Sequence, residues 1–505
     1  MSGRGPAAGA ADSHVADIIA AAPRFTCGDE VLSRVYRHRW ESFAHNVARS
    51  PRGWVVTEFR QPGPGRAHGT VNAAAGHHIL EGRWLRRTDV IEDYIRFWYT
   101  APEAEPNRYT EWIGWATREF ARLRAAWEVA VDVLPGMVRV FDTWDTVALH
   151  PSGLYWVHDL ADAMEFSISG DGLRPSINSY QYGNADAIAD LAGRAGNDET
   201  AERFRAVRDR LRRAVIDRLY DRRRQFFTTL PMSPSGSAAY LATAGVERRM
   251  PAGYRDRDLP SRADVPADRD VRELIGFLPW YVDLPGDEVD PAAPVGQLTD
   301  PDGFAAPFGL RTAERRHPRY GYAVPDAPLP RFLCRWNGPT WPFATSQTLT
   351  ALARIARRHG DDGSRGTVFL TALRQYAQSH LAADGGYLLD EFLDPDTGAW
   401  IARDWRRRHD PERAAIGTDY NHSTFADLIL SGLLGLDVRD DSIVVEPLTC
   451  ATGLGWFDVR GVSMAGVDVD VTWSPKAGLS LTAGAVSAGR PDLGILRVPI
   501  RAARG

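Results

Sequence analysis

A carboxyl group held between apolar neighbours can be tuned toward acid or base chemistry, and two segments of this chain are built that way. In Leu389-Asp390-Glu391-Phe392-Leu393-Asp394-Pro395-Asp396-Thr397-Gly398, Glu391 follows Tyr387, Leu388 and Leu389 and precedes Phe392 and Leu393. The Asp-Pro-Asp-Thr-Gly stretch then makes a tight turn. In the second segment Glu165 sits between Met164 and Phe166, ahead of a loop that ends at Gly170. Partial desolvation moves such a carboxyl toward a pKa useful for proton transfer. A glycosidic bond breaks when one carboxyl protonates the leaving oxygen and another activates water or attacks directly. Two carboxyls far apart in sequence, each on a loop, suit that task. The competing reading is two unrelated surface carboxylates, and Asp390 and Asp394 compete with Glu391 for the base.

A third element tips the balance. Arg335-Trp336-Asn337-Gly338-Pro339-Thr340-Trp341-Pro342 places two indoles, an amide and a cation within eight residues. Sugar rings present apolar C–H faces and polar edges, so a sugar pocket wants flat aromatic surfaces beside amide and guanidinium groups. Trp54, Trp84, Trp98, Trp112, Trp115 and Trp156 are candidates for further platforms, with core packing the competing role.

The elements that must position these groups are mostly helical from about residue 28 to 435. Ala185, Ile188 and Leu191 form one apolar stripe that stops at Gly196; Phe204, Val207, Leu211, Val215 and Leu219 form the next. Asn197 or Asp198 caps the second helix, so the pair is an αα-hairpin. Further helices are expected at 30–48, 89–99, 109–130, 343–359, 366–381 and 422–434. Aromatic-rich loops are expected at 72–84, 158–178, 335–343 and 418–425. Helix pairs stacked around an axis with such loops at one end make an α/α toroid. The 232–268 stretch reads as a long irregular insertion. After Gly435 the alternation Val467, Val469, Val471, Trp473 signals a small antiparallel β-domain. The expected organisation is a disordered tail over 1–23, a toroid over 24–435 and a β-domain over 436–505.

With 505 residues, 44% of them hydrophobic, the chain can bury a large core, and its net charge of −5 gives no reason to invoke nucleic acid. Arg222 to Arg224 and Arg406 to Arg408 read as solvated surface. Cys27, Cys334 and Cys450 lack metal-ligand or disulfide spacing, and His77-His78 and His158-Asp159 lack the partners of a metal site. No signal peptide or membrane span is evident, so a cytoplasmic protein without metal or cofactor is expected. Phosphate loops, dinucleotide fingerprints and nucleophile elbows are also missing from the sequence.

The 335–343 loop resembles the Trp-x-Gly-Pro-x-Trp element of the clan that contains glycoside hydrolase family 63 and the trehalases, and within it the bacterial mannosylglycerate-hydrolase-like domains. Gly76-His-His-Ile-Leu-Glu81-Gly-Arg83-Trp84-Leu85, Arg174-Pro-Ser-Ile-Asn178-Ser, the Glu391 to Gly398 segment and Tyr420-Asn421-His422-Ser423-Thr424-Phe425 match in order. The resemblance covers roughly residues 25–475. It implies a mainly α-helical (α/α)6 toroid of the six-hairpin glycosidase type, with inverting hydrolysis of a carbohydrate. By that resemblance Glu165 stands where the clan has an Asp general acid, and Glu391 is the general base. Glu81, Arg83, Trp84, Arg174, Asn178, Arg335, Trp336, Asn337, Trp341, Asn421 and His422 would bind substrate. Two departures stand out: Glu for Asp at 165, and Arg87 where an Asp is common, with Asp89 as a substitute. The rivals are a polysaccharide lyase working through Tyr420-Asn421-His422, and a silent glycan-binding scaffold.

Overall fold

The computed structural model describes residues 8–60, 67–158, 161–231, 270–321, 334–361 and 363–504. The expected insertion at 232–268 lies outside them. The body is helical and the C-terminal region antiparallel β. The expected αα-hairpin forms from Pro175–Arg194 and Asp198–Arg218, turning at Gly196 with φ +71°, and Asn197 accepts from the Thr200 amide.

Helices Asn72–Gly82, Ile113–Arg124, Pro175–Arg194, Leu278–Tyr281 and Pro342–His359, with the 428–433 turn of π-helix, pack each against the next. The last returns to the first through Glu81, whose carboxylate accepts the Phe425, Ala426 and Asp427 amides at 2.9–3.1 Å. These amides open the Ala426 helix and are orphan donors, so a buried carboxylate there is held by charge-assisted bonds. Arg83 and Trp84 fasten the same junction by donating to Asp427, at 2.6 and 2.7 Å.

Two expectations about elements are corrected. Asn72–Gly82 is a helix rather than a loop, and every one of its residues is buried. Its Ala-Ala-Ala run favours helix, and full burial removes the polar face by which an amphipathic pattern is recognised. The N-terminal stretch is not disordered throughout: Ala8–Ala21 is a helix, with Ile18 fully buried and Val15 and Ile19 packed against the core.

The C-terminal strands Phe457–Met464, Val467–Ser474, Gly478–Ala483 and Val486–Arg490 form an antiparallel meander. Val467, Val469, Val471 and Trp473 point inward, in keeping with the period of two. Its outer neighbour is Arg24–Cys27, so a strand that precedes the helical body completes the sheet that follows it. A second sheet pairs Asp437–Arg439, Ser442–Val445 and Leu496–Pro499. Among the described residues, no helix is long and apolar enough to cross a membrane.

Candidate active site

The Trp336–Trp341 loop binds both carboxylate segments. The Trp336 amide donates to the Glu165 carbonyl at 3.1 Å, while Thr340 and Leu393 exchange backbone bonds at 2.9 and 3.0 Å, two residues beyond Glu391. The Trp336 and Trp341 rings stack at 4.2 Å, and Trp341 stacks on Phe392 at 4.8 Å. Both indoles are therefore buried in a three-ring pile that fixes the spacing of the two segments. They were expected as sugar platforms; both are largely buried, Trp336 against Trp341, and Trp341 against Phe392 on its other side. Gly338, at φ +154°, lets the loop pass the Tyr320 ring, which a Cβ would meet at 2.9 Å.

Glu391 is buried and receives donors on both oxygens: Cys334 Sγ to Oε1 at 3.5 Å and Arg406 to Oε2 at 3.3 Å. Burial pushes its carboxyl up to about 7, opposed by Arg406 and assisted by the adjacent Asp390 charge. Asp390 itself is clamped by Arg403 at 2.8 Å and accepts the Glu391 amide. Asp394 is occupied as a turn cap, accepting the Asp396 and Thr397 amides. Of the three neighbouring carboxylates, Asp390 and Asp394 are thus taken up by a clamp and a turn, while Glu391 faces a thiol and a guanidinium.

Glu165 is partly exposed and lies between two non-glycine residues with left-handed backbone, Ala163 (φ +54°) and Phe166 (φ +57°). Such conformations cost energy and persist only where neighbours enforce them. Here Asp162 and Arg174, both fully buried, pair at 2.6 Å; Arg174 also reaches Ser167 and the Gly170 carbonyl, and Glu273 accepts the Ile168 and Ser169 amides. The Cys334 thiol is pushed up by burial, then by the charges of both Glu391 and Glu165, so it lies within the field of both.

Several residues expected to bind substrate make contacts within the fold. Glu81, Arg83 and Trp84 join helix Asn72–Gly82 to the 425–427 segment, and Arg174 braces the Glu165 loop. Asn178 exchanges hydrogen bonds with the Tyr155 backbone. Asp89 pairs with Arg87 and accepts from Trp54. Asn421 donates through its side chain to the Thr57 carbonyl and through its backbone to Glu58, and accepts from His78. The other candidate platforms, Trp54, Trp84, Trp98, Trp112, Trp115 and Trp156, are all core residues. Arg335 and Asn337 stay on the loop, with the Arg335 carbonyl accepting from Trp341 and the Asn337 carbonyl from Gly321. His422 remains beside the site: it stacks on Tyr420 at 4.1 Å and faces Glu58 at 3.2 Å, while the neighbouring Asp419 amide bonds to the Leu389 carbonyl.

Three contributors escaped the sequence reading. Arg406 was expected in solvent, yet it faces Glu391; the Arg403/Arg406 spacing on helix Ile401–His409 was the available signal, since i and i+3 share a face. Glu58 follows a short strand and carries no motif. Cys334 was weighed only as a metal ligand or disulfide partner, for which its spacing is wrong. Among the described residues, no group of three or more His, Cys, Asp or Glu is arranged to hold a metal.

Residues 67–423 match the family model for the mannosylglycerate hydrolase MGH1-like glycoside hydrolase domain. The chain belongs to that family. No curated protein sequence matches it. Among solved structures, a protein titled "Sialidase" is 28% identical with a TM-score of 0.82, over 96% of this chain and 42% of that one. A GH78 family rhamnosidase of a Bacillus species is 15% identical, TM-score 0.58, over 92% of this chain and 42% of that one. The family member thus spans less than half the length of both these relatives. A GH63 mannosylglycerate hydrolase from Thermus thermophilus in complex with Tris is 11% identical, TM-score 0.53, over 78% of this chain and 99% of that one. The last two likenesses concern the fold.

Proposed function

We propose that this protein is an inverting glycoside hydrolase acting on a carbohydrate O-glycoside, built on an (α/α)6 toroid. Glu165 is the general acid and Glu391 the general base. The observation that carries this reading is that one loop, 335–341, is bonded to the backbone of both carboxylate segments, in a chain that belongs to a glycoside hydrolase family. The closed succession of inner helices supports the toroid. The neighbours' titles span a sialidase, rhamnosidases and a mannosylglycerate hydrolase, so they support the bond class rather than one sugar.

The proton balance is simple. Glu165 gives its proton to the leaving oxygen as the C–O bond breaks. A water attacks the anomeric carbon from the opposite face, and Glu391 takes its proton. Glu391 suits the base because its neighbours Cys334 and Arg406 are donors, arranged around an acceptor. Proton NMR of the first-formed sugar tests the stereochemistry: the anomer opposite to the substrate's is expected. Initial release of the substrate's own anomer would overturn inversion, and an unsaturated product would restore the lyase alternative.

A further inference from the structure

We propose that Cys334 is a positioning residue for this reaction, an S–H donor 3.5 Å from Glu391 Oε1 that fixes this oxygen so that the carboxylate's remaining lone pairs face the hydrolytic water. This rests on the reading of Glu391 as the base and adds a residue that no feature of the sequence marked.

The geometry is specific. Cys334 immediately precedes the Arg335–Trp341 loop, so the staples that hold Trp336 to Glu165 and Thr340 to Leu393 also place the thiol. Its sulfur lies 3.5 Å from Oε1, while Arg406, from helix Ile401–His409, takes Oε2 at 3.3 Å. The groups facing Glu391 are therefore the thiol from one element, the guanidinium from another, and Asp390 from its own segment. A carboxylate offers about four lone-pair sites, so two remain for a water after both donors are seated.

A thiol suits this place because of its two carboxyl neighbours. Burial and the charges of Glu391 and Glu165 all oppose a thiolate, which keeps the proton on sulfur. The group can then only donate toward the carboxylate. A thiol is a weak donor, so it orients Glu391 without stabilising the anion as strongly as a hydroxyl would. Serine at this position would hold the carboxylate more tightly and make it less basic. Alanine would leave Oε1 without its donor.

The test compares wild type, Cys334→Ala and Cys334→Ser in the full chain. Glu391 is titrated directly by carbon-13 NMR of δ-labelled glutamate, its signal assigned by loss in Glu391→Gln. In parallel, the pH dependence of kcat/KM is measured on whichever 4-nitrophenyl α- or β-glycoside is turned over best. The expected order of Glu391 midpoints is Ala above Cys above Ser, with steps of about half a pH unit, and the acidic limb of kcat/KM moving in the same order. Identical midpoints in all three proteins overturn the proposal. So does a serine variant that shifts in the same direction as alanine, because that pattern reports lost packing. If the midpoints order as expected while Glu391→Gln keeps its activity, the contact stands and the base assignment falls. The near-isosteric serine variant keeps the experiment decisive should alanine fold poorly.

Discussion

At the scale of single residues, two buried glutamates among those described, Glu111 and Glu391, are pushed up to about 7, and of these Glu391 lies in the candidate site. Glu111 reaches that value because burial outweighs its bonds to the Ile113 amide and to Asn184, where it serves a helix start. The shift alone therefore does not single out Glu391; the donors around it and the loop beside it do. Raising Glu391 from an ordinary 4.5 to about 7 has a definite sign for stability. Between those values the folded chain keeps a proton that the unfolded chain has lost, so this residue's contribution falls as pH rises and is fully lost above 7. The size is about 3 kcal/mol as an upper estimate. Glu391→Gln is accordingly expected to flatten the stability loss between pH 4.5 and 7 and to unfold at higher denaturant than wild type at pH 8. A variant less stable than wild type at pH 8 would contradict the buried-carboxylate account.

At the scale of elements, the turn-flanked Glu391 and the Trp-x-Gly-Pro-x-Trp loop were readable because their residue types are unusual in combination. The helix Asn72–Gly82 was not, since a helix buried all round shows no periodic polar face. For Trp336 and Trp341, sequence gives their proximity but not that Phe392 completes their stack. Arg406 was misread because an arginine run says nothing about which member turns inward. The clamp behind Glu391 depends on Gly417, where a Cβ would come within 2.0 Å of Asp390 Oδ1 and 2.7 Å of Arg406 Nη1. Asp390 is held by Arg403 and cannot yield easily. Gly417→Ala is expected to cost about 2 kcal/mol in denaturant unfolding, as overpacking does, and to lower kcat more than it raises KM. Unchanged stability and kcat would show that the clamp is slack.

At the scale of the whole molecule, segments far apart in sequence meet: Arg24–Cys27 pairs with Phe457–Met464, and Glu81 ties helix Asn72–Gly82 to the 425–427 segment. Period-two alternation made the C-terminal strands legible, whereas the partner strand from the N-terminal side was too short to announce itself. The bonds from the 425–427 amides to Glu81 are likewise a long-range pairing that local pattern cannot reveal. Glu81→Ala leaves several buried amides without an acceptor and is expected to cost at least ~2 kcal/mol, while leaving the pH limbs of activity in place. A shifted acidic limb would mean that Glu81 acts on the reaction itself.

The central claim, that Glu165 supplies the proton and Glu391 activates the water, is tested most directly by leaving-group dependence. Turnover of Glu165→Gln and Glu391→Gln is compared on glycosides of poor leaving groups and on 2,4-dinitrophenyl glycosides, which depart without protonation. The account expects Glu165→Gln to lose activity on the former and recover much of it on the latter, with Glu391→Gln inactive on both. Recovery by Glu391→Gln instead would reverse the two roles, and near wild-type turnover by either variant on the poor leaving groups would remove that residue from the mechanism.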